Sequence, residues 1–258
     1  MSFLLNQSLL GKIIRLLLSF IPPNSVFPIF SGKMVGKKWI VGSGNHGCWL
    51  GTYEYRHRQL IEQLVPEGGT FFDIGAHVGF YTLLASILVG ENGKVVAFEP
   101  LPRNIYFLKE HVRLNRLANV SIIEAAVSDS TGYATFSEGP DNFIDFTEFS
   151  NGSDHSMAHF SPIGNLTVKT VSLDELHLQG EVPPPNFLKI DVEGADALVL
   201  KGAKKVLATF HPTIFLSIHG ERNRRDCFSL LQGMDYSLRP IIGNDISTSN
   251  EILATYSS

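Results

Sequence analysis

The sequence predicts an α/β protein with a mostly parallel sheet and helices on both of its faces. A buried apolar run over residues 70–74 leads through two glycines into a helical pattern near 78–89, and a second apolar run follows over 94–98. The alternation continues with a helical pattern near 102–116 and a strand near 119–124. Strands that alternate with helices pair in parallel, because each helix carries the chain back across one face of the sheet.

The first two strands of this pattern end in acids. The first runs into Asp73-Ile74-Gly75-Ala76-His77-Val78-Gly79 as the chain enters the helix, and the second ends in Glu99-Pro100. A strand, glycine loop, helix, strand and acid in this order form the βαβ arrangement that binds nucleotides, in which the second acid holds a ribose diol. We therefore expect a cofactor at this edge of the sheet, with Glu99 on its ribose.

The spacing of the glycines favours one class of cofactor. Asp-x-Gly-x-x-x-Gly lacks the tight Gly-x-Gly by which the backbone reaches a pyrophosphate. A cofactor with an amino-acid end, such as S-adenosylmethionine, suits the loop better. Its carboxylate can bind free N–H groups at the helix N-terminus, and Asp73 can bind its ammonium. A plain packing turn is the alternative, and the acids at two successive strand ends argue against it.

Length and composition limit the classes of function. The chain has 258 residues and 44% hydrophobic content, which suits one α/β domain over residues 66–258 after an extension over 1–65. A net charge of −4 argues against a nucleic-acid partner and leaves small-molecule or glycan acceptors. The two cysteines, Cys48 and Cys227, form no metal or redox motif, so we expect a reducing cytoplasm.

The extension contains three predicted elements. Residues 9–21 form an amphipathic helix that is too short to span a bilayer and ends before Pro22-Pro23. Its apolar face could pack on the domain, contact a partner or the inner membrane surface, or belong to a signal segment. A small hairpin is predicted across residues 42–45, followed by a short helix over 54–64.

A third group of acids follows a later strand. The run Phe187-Leu188-Lys189-Ile190 leads into Asp191-Val192-Glu193-Gly194-Ala195-Asp196, and a helical apolar stripe continues to Phe210. The next buried strand, over residues 212–218, ends at His219. Ligands of open α/β sheets bind at the carboxyl ends of the strands, so we expect Asp191, Glu193 and His219 to meet there. Acids that merely start a solvated helix are the alternative.

These motifs resemble the FkbM family of S-adenosylmethionine-dependent methyltransferases. The resemblance rests on the segments at 72–82, 97–100 and 188–203, together with Asn104 and Asn115. It implies a three-layer, Rossmann-like fold with a seven-stranded sheet and O-methylation of a hydroxyl on a saccharide, glycolipid or polyketide-type acceptor. It also implies that the residues contacting the cofactor are Asp73, Gly75, Ala76, His77, Gly79, Glu99, Pro100, Asn104, Ala126, Val127 and Asp191, with Ala126-Val127 at the adenine.

The sequence departs from the family pattern at three positions. His77 stands where the family usually has Asn, and Asp196 where it usually has Glu, so both keep a polar or acidic group. Ser217 stands where the strand often carries Glu before Ile-His, which removes a carboxylate from the side of the acceptor.

Methyl transfer to an alcohol needs alignment of donor and acceptor, and it benefits from a base. Asp191 or His219, with Glu193 beside them, could take the hydroxyl proton, or the three could hold a divalent cation that acidifies the hydroxyl. A third reading of His219 is a histidine that only packs in the core.

Residues 137–167 show little periodicity before a predicted strand over 166–171, so we expect a long loop. It could place Phe143, Phe146, Phe149 and His159 over the acceptor, or be an insertion without that contact. Two other functions remain open. A nicotinamide-dependent oxidoreductase would use the same strands but a tighter glycine turn, and a non-catalytic cofactor-binding protein would keep the fold alone.

Overall fold

The computed structural model describes residues 18, 20–138, 158–160 and 166–257. The described part of the extension contains a hairpin in which β1 (Val26–Pro28) pairs antiparallel with β2 (Lys38–Ile40). A short helix α1 (Gly47–Leu50) and then α2 (Tyr55–Leu64) follow. The prediction for α2 is confirmed, and most of the predicted helix over 9–21 lies outside the described residues. No described helix has the length and apolar character needed to cross a membrane.

The predicted hairpin across residues 42–45 was wrong. The strand after Gly36, β2, pairs with β1, which precedes it in the sequence, and not with a later strand. After Asn45 the chain enters α1. The Asn45 side chain accepts a hydrogen bond from the Gly47 amide at 2.6 Å, and the Gly47 carbonyl accepts from the amides of Gly51, Thr52 and Tyr53. These local bonds satisfy the backbone within a helical turn, so no strand partner is needed.

The first half of the domain follows the predicted alternation. Its elements are β3 (Thr70–Ile74), α3 (Phe80–Val89), β4 (Lys94–Phe98), α4 (Pro102–Asn115) and β5 (Val120–Ile123). Proline at the first position of α4 costs no hydrogen bond, because that N–H has no partner within a helix.

A small second sheet lies between the two halves of the domain. Its strands are β6 (Ala126–Val127), β7 (Gly132–Glu138), β8 (Ala158–Phe160) and β9 (Leu166–Val171), in the order β6–β9–β7–β8. The strand over 166–171 is confirmed, but part of the expected loop over 137–167 forms the end of β7 and all of β8. Phe143, Phe146 and Phe149 lie outside the described residues, as does the side chain of His159.

The second half continues with α5 (Leu173–Leu178), β10 (Phe187–Ile190), α6 (Asp196–Lys201), α7 (Lys204–Phe210), β11 (Thr213–Ser217), α8 (Glu221–Gln232), β12 (Tyr236–Pro240) and β13 (Glu251–Tyr256). The continuous apolar stripe after Asp196 is interrupted at Gly202. The Gly202 carbonyl accepts from Ser172 Oγ at 2.9 Å and from the Asp174 amide at 2.8 Å. A side chain at 202 would also strike the Ser128 carbonyl, so close packing against this neighbouring segment accompanies the break.

The main sheet has seven strands in the order β12–β13–β11–β10–β3–β4–β5. The pairs from β11 to β5 are all parallel, and β13 is antiparallel to both of its neighbours. The mostly parallel sheet with helices on its faces confirms the predicted fold class. The strand order reverses between β3 and β10, and this switch point is where open α/β sheets bind their ligands.

The described part of the extension packs on one face of this sheet. Trp39, Met34 and Ile29 are buried in one cluster with Phe71 and Leu84. His111 links the hairpin to the domain, because its Nε2 accepts from the Ile40 amide at 3.0 Å and its Nδ1 lies 2.7 Å from the Val78 carbonyl. Burial lowers the pKa of His111 to about 4, so the ring is neutral and Nδ1 is the donor.

Candidate active site

The switch point brings the backbones of two loops into contact. Gly75 follows β3 with φ +77°, and a Cβ built on it would lie 2.0 Å from the Asp191 carbonyl oxygen. Position 75 therefore needs glycine both for its backbone angle and for the close approach of the loop after β10. This contact fixes the distance between two acidic edges of the cavity: the first follows β3 and β4, and the second follows β10 and β11.

The glycine turn is held by the strand beside it. The amides of Gly75 and Ala76 both donate to the Phe98 carbonyl at 3.0 Å. His77 adopts φ +53°, and its amide donates to Glu99 Oε2 at 2.8 Å. Asn is favoured in this left-handed region, and His77 occupies it with a backbone bond to Glu99.

Glu99 is buried at the end of β4, where donors of its own chain surround it. Its Oε1 accepts from the Leu101 amide at 3.0 Å and from Asn104 Nδ2 at 3.3 Å. Burial raises the pKa of Glu99, while the charge of His77 and the N–H donors oppose that rise. A carboxylate offers about four acceptor positions, so three donors leave room for a ligand hydroxyl.

Asp73 lies behind the cavity wall, in full burial. It accepts a hydrogen bond from Thr82 Oγ1 at 2.6 Å, and its Oδ1 is 3.7 Å from Lys189 Nζ. Burial raises the pKa of Asp73 against the effect of the Lys189 charge. Oδ1 has no hydrogen-bond partner among the described residues. The Asp73 carboxylate therefore faces Lys189 and does not line the cavity.

Lys189 is a buried cation that sequence reasoning missed. It lies opposite Asp73 in the register of β10 and β3, and its Nζ is 3.6 Å from Asp191 Oδ2 and 5.1 Å from the centre of the Tyr81 ring. Burial lowers the pKa of Lys189, but the charges of Asp191 and Asp73 outweigh burial and the net shift is upward. A lysine inside the apolar run of β10 was the available signal.

The second acidic edge, formed by the residues that follow β10 and β11, brings together the predicted catalytic residues. His219 Nε2 is 3.4 Å from Glu193 Oε2 and 3.9 Å from Asp191 Oδ1. The side chains of Asp191 and His219 are 34% and 36% exposed, whereas that of Glu193 is 18% exposed. These groups are accessible to an acceptor molecule, unlike Asp73.

The buried carboxylate of Asp196 supports this edge from behind. Its Oδ2 accepts from the His219 amide at 3.2 Å and from Asn223 Nδ2 on α8. The same oxygen lies 3.8 Å from His219 Nδ1, which is longer than a hydrogen bond. Asp196, with Glu193 and Asp191, raises the pKa of His219 to about 9 against the effect of burial. The ring is therefore mostly protonated at neutral pH.

A further cluster of polar side chains lies where α2 meets β13. Tyr81 Oη donates to Glu54 Oε2 at 2.5 Å, and His57 Nε2 lies 2.5 Å from Glu251 Oε2. Burial lowers the pKa of His57, but bonds to Glu251 and Glu54 outweigh it and the net pKa is about 9. The sequence reading did not find this group, because it assigned no strand at β13.

Glu251 sits opposite Ser217 in the register of β11 and β13. Directly opposed residues of paired strands share one face of a sheet, and both of these residues line the cavity. A carboxylate is thus present beside the position where the family pattern often has Glu.

One cavity of about 500 Å³ joins all of these edges, a size typical of small-molecule sites. Two predicted residues, Asp73 and Gly79, do not line it. Glu54, Tyr81, Lys189 and Glu251 line it without having been predicted. The predicted residues that line it are Gly75, Ala76, His77, Glu99, Pro100, Asn104, Ala126, Val127, Asp191, Glu193 and His219.

The fold and the cavity define a Rossmann-like protein with a cavity at the switch point of its sheet, the position where open α/β sheets bind ligands. Residues 73–240 match the sequence model of the Methyltransferase FkbM domain, so the chain belongs to the FkbM methyltransferase family. This confirms the resemblance and leaves the nicotinamide-dependent alternative without support.

Two curated relatives are methyltransferases. Hexuronic acid methyltransferase AglP of Haloferax volcanii is 32% identical over 67% of this chain and 65% of its own length. Methyltransferase 1 of Beauveria bassiana is 28% identical over 53% of this chain and 59% of its own length. The chain therefore spans less than two thirds of either relative.

Among solved structures, methyltransferase FkbM from Methylobacillus flagellatus KT superimposes with a TM-score of 0.51. The match covers 73% of this chain and 43% of that one, at 17% identity. Identity at this level supports the fold alone.

Proposed function

We propose that the protein transfers a methyl group from S-adenosylmethionine to a hydroxyl of a saccharide, glycolipid or polyketide-type acceptor. The observation that carries the proposal is the cavity that joins the glycine turn and Glu99 to the partly exposed side chains of Asp191, Glu193 and His219. Membership of the FkbM methyltransferase family supports the reaction class.

The first edge fits the nucleoside and amino-acid parts of the donor. Gly75 and Ala76 bring backbone close to the cavity with no side chain larger than a methyl group, and Glu99 keeps an acceptor position for a ribose hydroxyl. Pro100, Asn104, Ala126 and Val127 line the part assigned to the nucleoside. When bound, the donor would supply an electrophilic methyl group on a sulfonium.

Asp73 supports the donor's ammonium site from behind. Its fully buried carboxylate lies across from Lys189, and Lys189 in turn contacts Asp191 on the cavity wall. The sequence predicts direct contact between Asp73 and the ammonium. Such contact requires that Lys189 share Asp73 with the ligand, because Lys189 Nζ already lies 3.7 Å from Oδ1.

The second edge handles the proton of the acceptor. His219, with a pKa of about 9, carries a proton at neutral pH and holds the carboxylates of Glu193 and Asp191 in place. We therefore assign removal of the acceptor's hydroxyl proton to a carboxylate. Asp191 is the first candidate, because it is partly exposed and lies directly after β10. The ligand atoms of Asp191, Glu193 and His219 also lie within 4.8 Å of one another, so a divalent cation is the alternative way to activate the hydroxyl.

The charge of the lining favours a particular acceptor class. Five carboxylates line the cavity, at Glu54, Glu99, Asp191, Glu193 and Glu251, against the cations Lys189 and His219. The named substrate class of AglP supports a saccharide. An excess of negative charge disfavours a sugar carboxylate near Asp191. We therefore propose that the methylated group is a hydroxyl of a sugar that carries no charge. Glu251 takes the place of the missing Glu at Ser217 in orienting it.

The test measures transfer of labelled methyl from S-adenosylmethionine to a panel of neutral and uronic acid saccharides, free and lipid-linked. We expect labelled product from a neutral sugar. In Asp191→Asn, kcat should fall by at least about 100-fold. The control is Glu91→Gln in the exposed turn before β4, at the opposite end of this strand from Glu99, and it should retain full activity. Addition of EDTA tests the cation alternative. Absence of product from every acceptor despite donor binding would support a non-catalytic binding protein instead.

A further inference from the structure

Charge is distributed unevenly along the chain. Residues 1–53 contain Lys12, Arg15, Lys33, Lys37 and Lys38 and no Asp or Glu, although the whole chain carries a net charge of −4. The acidic excess therefore lies entirely after residue 53. A basic segment on an otherwise acidic protein indicates an anionic partner for that segment.

Exposed apolar side chains concentrate in the same segment. Phe20, Val26, Phe30 and Val35 are 74%, 48%, 55% and 61% exposed. Elsewhere in the described chain, the large exposed hydrophobic residues are tyrosines and the single residues Leu178 and Ile242. Phenylalanine and valine gain nothing from water, so a cluster of them beside lysines marks a contact surface.

The hairpin presents two of these side chains, Phe30 and Val35, on an ordered loop between β1 and β2. The Ile29 amide donates to the Lys37 carbonyl at 2.7 Å, and the Gly36 amide donates to the Ile29 carbonyl at 2.9 Å. Met34 is fully buried and anchors the loop to the core. We call Phe30, Lys33, Val35, Lys37 and Lys38 the hairpin surface.

We propose that the hairpin surface docks the protein on a bilayer of anionic phospholipids. Its lysines match the charge of the lipid headgroups, and Phe30 and Val35 can enter the interface between headgroups and acyl chains. The amphipathic pattern of residues 9–21, with Lys12 and Arg15, extends the same chemistry in the adjoining sequence.

The hairpin surface is joined directly to the cavity wall. The Phe30 amide donates to the Trp49 carbonyl at 2.9 Å, and Ser31 Oγ donates to the Gly51 carbonyl at 3.1 Å. Tyr53 and Glu54, just beyond this contact, line the cavity. If the proposed methyl transfer holds, docking would bring a lipid-linked acceptor close to the site.

The test is co-sedimentation of the full chain with vesicles of phosphatidylcholine, with and without about 30% phosphatidylglycerol. We expect binding only to the anionic vesicles, and its loss in high salt. Lys33→Gln with Lys37→Gln should weaken binding by about fivefold for each lysine. Phe30→Ser with Val35→Ser should weaken it as well.

Matched controls are Lys204→Gln with Lys205→Gln, and Tyr133→Ser with Leu178→Ser. All four of these positions are exposed and lie in the domain that follows the extension. Their binding should equal that of the wild type, and thermal unfolding should show that every variant is folded.

Three results would overturn the proposal: no binding of the wild type to anionic vesicles, equal losses in the control variants, or binding that the hairpin variants leave unchanged. Sedimentation velocity adds a further arm, because dimerisation that is lost in Phe30→Ser with Val35→Ser, without vesicle binding, would assign the surface to a second copy. The readout involves no methyl transfer, so a failure of the proposed reaction would leave this result intact.

Discussion

Carboxylates at the two sides of the switch point are held in different ways. Glu99, after β4, is buried and takes its hydrogen bonds from the amides of His77 and Leu101 and from Asn104. Asp191 and Glu193, after β10, are more exposed, and their partners include the titratable side chains of His219 and Lys189. Glu251 belongs to the second kind, since it pairs with His57.

The first edge, around Glu99, is therefore rigid, whereas the charges at the second edge, around Asp191 and Glu193, can change. Backbone amides cannot lose their protons or move independently of the fold, so they preorganise Glu99 for one fixed ligand. Ion pairs between side chains change with pH and with the charge of a bound molecule. We therefore assign the donor to the first edge and proton transfer to the second, and the predictions below test that division in order of expected effect.

The largest effect is expected where the two edges share a buried ion pair. Lys189→Met would leave the buried Asp73 carboxylate with Thr82 alone, and removal of one partner of a buried pair costs about 3–5 kcal/mol of unfolding free energy. Urea denaturation measures this loss. Lys94→Met, an exposed position in the same sheet, is the control, and adding Asp73→Asn should recover part of the loss. A loss no larger than that of the control would show that the pair contributes nothing.

Gly75→Ala tests the contact between the two loops. The new methyl group would meet the Asp191 carbonyl, and alanine would adopt φ +77°, so we expect a loss of about 2–5 kcal/mol in unfolding free energy. Gly180→Ala is the matched control, because Gly180 has φ +72° but open space around its Cβ position. It should cost only about 1–2 kcal/mol. Equal losses in the two variants would mean that the contact does not limit the site.

Glu99→Gln tests the rigid edge directly. The amide would place an N–H group against the donors of His77 and Leu101 and remove a charged acceptor, which is worth about 1.5–3 kcal/mol. We expect S-adenosylhomocysteine to bind roughly 10- to 100-fold more weakly by calorimetry. Glu124→Gln, an exposed acid after β5, should bind as the wild type does. Unchanged affinity in Glu99→Gln would refute the ribose assignment.

The smallest effect concerns His57 in the adjustable network. Its pKa is raised from 6.5 to about 9 in the folded protein, so its contribution is full below pH 6.5 and is lost as the pH rises through about 9. His57→Gln should therefore cost roughly 1–2 kcal/mol more at pH 6 than at pH 10, because the lost packing of the buried ring on Phe215 is common to both pH values. Urea denaturation at both pH values measures the difference, with His211→Gln as control. A difference that does not change with pH would contradict the ion pair.

The sequence was sufficient for the elements that periodicity and strand ends determine. Asp73, Glu99 and Asp191 follow apolar runs, and these runs became parallel neighbours as predicted. The hairpin was predicted at the wrong place because β2 could pair with the strand before it or with one after it. A short apolar run does not specify which of these partners it takes. Gly202 broke a periodic stripe because a contact with Ser172 and Asp174 outweighed helix continuity.

The unpredicted part of the site depends on contacts between distant segments. His57 and Glu251 are 194 residues apart in the chain, and their meeting requires β13 to insert beside β11. Lys189 was visible as a lysine within an apolar strand, but only the register of β3 against β10 shows that Asp73 is its partner. Pairwise contacts of this kind have no local signature in a single sequence.

Isothermal titration calorimetry of the wild-type chain with S-adenosylhomocysteine, with NADH in parallel, tests the central claim most directly. The account predicts micromolar binding of S-adenosylhomocysteine and no heat from NADH, because the cavity combines Glu99 with a glycine turn that does not suit a pyrophosphate. A folded protein that binds NADH, or that binds neither ligand, would contradict the assignment of this cavity to a methyl donor.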